Sequence, residues 1–78
     1  MLKKLTELIN SGADIEFSVR GKQYTILSWT EDGIVIGPKN SDNDMVFRDA
    51  DELYDQFLID GVPLRKMIDQ ITIEFSSL

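Results

Sequence analysis

Between Asp14 and Ile36 the chain holds three short runs suited to strands, each set off from the next by a glycine turn. In DIEFSVR, Ile15, Phe17 and Val19 alternate with Glu16, Ser18 and Arg20. A period of two with one polar face marks a half-buried strand. Beyond Gly21 the run QYTILSWT follows the pattern with one break at Ile26-Leu27, and beyond Gly33 comes the short apolar run IVI. Such short connections allow only antiparallel pairing, because a parallel return needs a crossover of a dozen or more residues.

The turns set the register. Gly21-Lys22, a two-residue loop with Gly first, suits a type II′ turn, which places Val19 opposite Tyr24 and Phe17 opposite Ile26. Glu31-Asp32-Gly33 suits a three-residue loop that ends on a left-handed glycine. In that register Ile34 and Ile36 join Ile26 on one apolar face, and Val35 sits across from Trp29. A two-residue loop would exchange the faces, since a one-residue slip reverses every side chain. Leu27, Trp29 and Val35 are thereby expected on the side of the sheet opposite the main core.

Helical spacing brackets this meander. Leu2, Leu5, Leu8 and Ile9 recur at three- and four-residue intervals ahead of Asn10-Ser11-Gly12, a short amphipathic helix with a glycine stop. Gly37-Pro38 breaks the third strand, and Met45-Val46-Phe47 reads as a short fourth one. Asp49 then caps a helix, with Glu52 three residues on in the capping-box arrangement and Leu53, Tyr54, Phe57 and Leu58 as its stripe. Asp60-Gly61 is expected to stop it, and Pro63 suits the first turn of another helix that buries Leu64, Met67, Ile68 and Ile71, with Phe75 extending the stripe. TIEF also alternates, so residues 72–76 fit a strand equally well. The expected fold is α+β: one domain over residues 1–78, a small antiparallel meander of three to four strands, and an N-terminal and two C-terminal helices packed on one face.

Composition narrows the chemistry. A chain of 78 residues is too short for two cores and buries roughly 60–65% of its unfolded surface. It has no Cys and no His, which removes disulfides, thiolate zinc and the common nucleophile–base pairs. Its glycines are scattered singly, so no phosphate-cradling loop is present. No run approaches the roughly 20 apolar residues of a membrane span, and a cytoplasmic protein without a membrane partner is expected.

The net charge of −6 is uneven: residues 31–60 carry −7 and the remainder +1. An acidic middle repels phosphate backbones, which argues against direct nucleic-acid binding. It suits a basic partner surface, or solubility alone.

Asn40, Asp42 and Asp44 hold positions 1, 3 and 5 of a calcium-loop pattern. That pattern needs Gly at position 6 and Glu at position 12, where Met45 and Asp51 stand, and its flanks should be helices. The stretch reads as a polar connector. Asp49, Asp51, Glu52 and Asp55 gather at a helix start, where acids complement the N-terminal dipole, so a capping role is favoured over a catalytic one. No catalytic residue, cofactor or metal ligand is assigned.

From Met45 onward, MVFRDADELYDQFLIDGVPLRKMIDQI resembles the C-terminal half of short acidic proteins carried by bacterial prophages and other mobile elements. The shared features are an aromatic strand end, an Asp-rich helix start and IDG-x-PL opening the next helix. The resemblance spans about a third of the chain, implies a host- or phage-directed binding role and carries over no functional residue.

The expected function is therefore non-enzymatic protein binding, with a homodimer as one form of it. Leu27, Trp29 and Val35 would supply the apolar contact unless the first helix or the C-terminal segment covers them. Asp42, Asp44, Asp49, Asp51, Glu52 and Asp55 would supply an acidic surface for steering. The alternatives are an acidic mimic of nucleic acid that occupies a basic enzyme groove, and a carboxylate-based metal or small-ligand domain.

Overall fold

The computed structural model describes residues 1–78. Its first element, α1 (Leu2–Asn10), buries Leu5 and Ile9 and half-buries Leu2 and Leu8. It ends in a Schellman motif: Gly12 N–H donates to Ile9 O and Ala13 N–H to Leu8 O, with Gly12 at φ +80°. The strands β1 (Asp14–Val19), β2 (Lys22–Thr30), β3 (Gly33–Pro38) and β4 (Met45–Phe47) follow in the expected order.

Next comes α2 (Ala50–Gln56), capped by Asp49, whose carboxylate accepts from the Glu52 N–H at 2.8 Å. Glu52 reaches back, but to Arg48 N–H at 3.1 Å, one residue before the cap. A tight hairpin of β5 (Leu58–Ile59) and β6 (Val62–Pro63) leads into a 3₁₀ helix, Leu64–Gln70, and the last strand is β7 (Thr72–Ser76).

The principal sheet has five strands in the order β4-β3-β2-β1-β7, all antiparallel, and β5-β6 forms a sheet of its own. The meander of three to four strands is thus extended by β7, which takes the free edge of β1. Residues 72–76 are extended and not helical, so Phe75 is 51% exposed and does not prolong a buried stripe. The second C-terminal helix is 3₁₀, with Leu64 and Met67 buried, Ile68 half-buried and Pro63 just ahead of its first turn. Leu58 is exposed on β5, because α2 stops at Gln56 and the chain straightens at Phe57. Asp60-Gly61 is the turn between β5 and β6; both residues have positive φ, +53° and +78°, as a type I′ hairpin requires.

The first hairpin uses the same device one residue earlier than expected. Arg20 and Gly21, at φ +51° and +77°, form a type I′ turn, so Phe17 pairs with Tyr24 and Ile15 with Ile26. The second hairpin closes over the two-residue loop Glu31-Asp32 and not the expected three-residue one, pairing Thr30 with Gly33 and then, across an irregularity in β2, Leu27 with Val35 and Ile26 with Ile36. Val35 therefore lies opposite Leu27 rather than Trp29. At Phe17 and at Val35 the pairing thus differs from the expected one by two residues, which preserves the faces.

One core holds the inner face of the sheet against α1, α2, the 3₁₀ helix and the small hairpin; Ile15, Phe17, Ile26, Ile36, Leu53 and Met67 are all within 1% of full burial. Phe17 stacks on Tyr24 at 5.4 Å between ring centroids, and Tyr24 meets Phe57 edge-on at 5.9 Å. Tyr54 ties the helices together. Its hydroxyl lies 2.7 Å from Thr6 Oγ1, which donates its own proton to Leu2 O at 2.8 Å, so the tyrosine is the donor between the two side chains. The Arg65 guanidinium sits over the Tyr54 ring, 5.5 Å from its centroid.

Charge pairs join the tips of the two type I′ turns: Lys22 Nζ is 2.9 Å from Asp60 Oδ1, and Arg20 approaches the same carboxylate at 3.7 Å. The Lys22 hydrogen bond holds the Asp60 carboxyl below its ordinary 3.8, and that of Arg65 does the same for Asp55. Depressed carboxylates stabilise the fold above pH 3.8 and lose that effect as pH falls through their folded values. Burial raises Tyr54 above its ordinary 10.0, so its contribution is complete below pH 10 and disappears as pH rises through the folded value. Lys22 and Lys39, raised by their carboxylate partners, act in the same alkaline range. The urea midpoint should therefore hold between about pH 5 and pH 9 and fall on both sides. In Tyr54→Phe the alkaline fall should be shallower, whereas an unchanged alkaline limb would refute this account of Tyr54.

Candidate interaction surface

Strand alternation gives the sheet a second, outer face that no helix covers. One row crosses it from Val46 on β4 through Val35 and Leu27 to Asp14 on β1. The next runs from Gly37 through Thr25 and Glu16 to Phe75. Trp29 lies diagonally from Asp14, and its indole N–H donates to the Asp14 carboxylate.

Leu27, Trp29 and Val35 thus share one side of the sheet. Trp29 is 63% exposed, and Leu27 and Val35 are half-buried among their strand neighbours. At that exposure the indole is not enclosed by α1 or by the C-terminal segment. Instead the last strand adds Phe75 to the same side, and β4 adds the exposed Val46. Neither addition was expected from sequence: Phe75 was tied to the helical reading of the tail, and three-residue β4 is too short to reveal its face by alternation.

The connector 39–44 folds against this side of Gly37. A Cβ there would collide with Asp44 Oδ1 and crowd the backbone of Asn43 and Asp44 at 3.1 and 3.0 Å, so only glycine admits the loop. Asn40 turns the chain with φ +62°, and Asn43 N–H donates to Ser41 Oγ. Lys39 bonds Glu16 at 2.6 Å across the outer face, and that hydrogen bond raises its pKa. No group of three or more His, Cys, Asp or Glu side chains is assembled around Asp42 and Asp44, and the surface forms no pocket.

The six candidate acids divide into two sets. Asp42 and Asp44 are exposed on the 39–44 loop and have no ion pair, with Asp44 against Gly37. Asp49 serves as the α2 cap. Asp51 and Asp55 both bond Arg65, at 3.2 and 2.6 Å, and Glu52 bonds Arg48 at 3.1 Å. The acids of α2 are consequently matched by cations and placed away from the apolar row.

The carboxylates that do stand beside that row come from other segments. Asp14 and Glu16 project from β1, and Glu74 bonds Gln23 at 3.3 Å from the irregular step of β7. Alternation already placed Asp14 and Glu16 opposite Ile15 and Phe17, and that was the available signal. Glu74 required knowing that the tail is a strand.

Comparison with known proteins gives no match to a family model, a curated protein or a solved structure. No helix is long and apolar enough to cross a membrane.

Proposed function

We propose that this chain is a non-enzymatic binding domain that engages another protein through the outer face of its sheet. The observation carrying this reading is Trp29, 63% exposed and yet fixed by Asp14 beside Leu27 and Val35. Large aromatic side chains dominate the binding energy of protein interfaces. One already held in place loses less freedom when a partner arrives. The resemblance of residues 45–71 to prophage proteins is in keeping with binding to a host or phage protein.

Mimicry of nucleic acid is favoured less. A carboxylate stripe offered to a basic groove needs charges free of cations, and Glu52 pairs with Arg48 while Asp51 and Asp55 share Arg65. Trp29→Ala should change stability by less than about 1 kcal/mol, since the side chain is mostly outside the core. It should weaken partner binding by about 2 kcal/mol, or roughly 30-fold. Affinity capture with wild type, Trp29→Ala and a Lys3→Ala control checks this. A partner retained equally by all three and released by salt would sink the apolar-face reading and restore mimicry.

A further inference from the structure

We propose that the outer face receives a polypeptide segment that sets apolar side chains beside lysine or arginine, and that it does not pair with a second copy of this chain. This deepens the reading of that face as a binding surface and rests on it.

Charge is the argument. Along the apolar row and beside it stand the carboxylates of Asp14, Glu16, Asp44 and Glu74. Among the strands and the 39–44 loop, the one cation on that side is Lys39, already committed to Glu16 at 2.6 Å. A dimer built face to face about a twofold axis must use the same patch twice. Acids would then meet acids, or would be buried over the partner's valines and leucine without a cation; both arrangements cost free energy that the apolar contact has to offset. A segment with apolar and basic residues side by side has neither difficulty. It covers Leu27, Trp29 and Val35 and places cations at Asp14, Glu74 and the free edge of Glu16.

The acids that would steer such a segment are therefore not those of residues 31–60 alone. Asp14, Glu16 and Glu74 lie outside that stretch, and the acids of α2 are occupied by Arg48 and Arg65. Five strands about 4.8 Å apart give the face a width that a helix of about 13 residues spans.

The test uses the full chain, ¹⁵N-labelled, and two synthetic 14-residue amphipathic peptides, one of Leu and Lys and one of Leu and Glu. Amide shifts at residues 14–18, 25–29 and 73–77 are expected with the Leu/Lys peptide only. The double variant Glu16→Gln, Glu74→Gln should weaken that binding about tenfold, and Trp29→Ala should weaken it further. Sedimentation of the chain alone should give a monomer. Equal binding of the Leu/Glu peptide, or a dimer that Trp29→Ala dissociates, would overturn the inference while leaving the face an interaction surface. Shifts confined to residues 49–55 would overturn both. Failure of both peptides to move any outer-face amide at millimolar concentration would overturn the inference and leave the face to the capture comparison.

Discussion

Replacing Tyr54 by alanine is expected to remove most of the stability of this domain. Its side chain is 1% exposed and sits where α1, α2 and the 3₁₀ helix meet. Truncating a large buried aromatic costs about 3–5 kcal/mol, because the lost contacts are joined by a cavity that the surroundings fill only in part. A domain of this length has on the order of 4–12 kcal/mol in total. The hydroxyl matters far less. In Tyr54→Phe, Thr6 Oγ1 keeps its bond to Leu2 O, and one hydrogen bond of about 0.5–1.5 kcal/mol is lost. The ring also carries the Arg65 contact, which Phe retains and Ala does not. Urea unfolding of the three proteins should rank wild type, Tyr54→Phe and Tyr54→Ala with a wide gap before the last. Near-equal midpoints for the two variants would mean that the hydroxyl, and not the ring, holds the helices together.

The faces of the sheet were legible before its registers were. Alternation assigns Ile15, Phe17 and Ile26 to one side, the expected three-residue loop adds Ile34 and Ile36, and all five are buried. The first turn departs from the expected position because Arg20 occupies a left-handed position that Asn, Asp or Gly would have announced. Moving a two-residue turn by one position shifts the pairing by two, so the faces survived the error. In the second hairpin a two-residue turn alone would have exchanged them. The irregularity between Leu27 and Thr30 restores the parity, a compensation that no local residue pattern advertises.

The C-terminal half was harder to read. Asp60-Gly61 is a strong hairpin signal, but each flanking strand has only two residues, so no alternation supports it and a helix stop looked equivalent. The candidate trio followed from side-chain parity along β2 and from the turn that sets β3 beside it. The surrounding acids were not: their relevance depends on which strand joins β1, and on Arg48 and Arg65 finding the acids of α2. Long-range pairing of that kind leaves no mark on spacing.

The ambiguity of residues 72–76 yields the second large effect. A chain ending at Ile71 should lose cooperative folding at 25 °C, because β1 would become an edge and the half-buried Ile73 would leave the core. The bared edge carries Ile15, Phe17 and Val19 on one side and unpaired backbone groups along its length, which invites aggregation. A chain ending at Ser76 should differ little, since the Leu78 side chain is 69% exposed and Ser77 adds little beyond its bonds to the Asp14 backbone. Phe75→Ala separates the strand from its helical alternative. On the outer face, Phe75 should be replaceable at a cost below about 1 kcal/mol. Were those residues a continued helix with Phe75 inside, the same change would cost about 3–5 kcal/mol. Far-ultraviolet dichroism and urea midpoints for the three variants distinguish the cases. The strand requires a severe loss at the Ile71 terminus together with a mild one at Phe75, since what β7 supplies is chiefly backbone pairing along β1 rather than an aromatic plug.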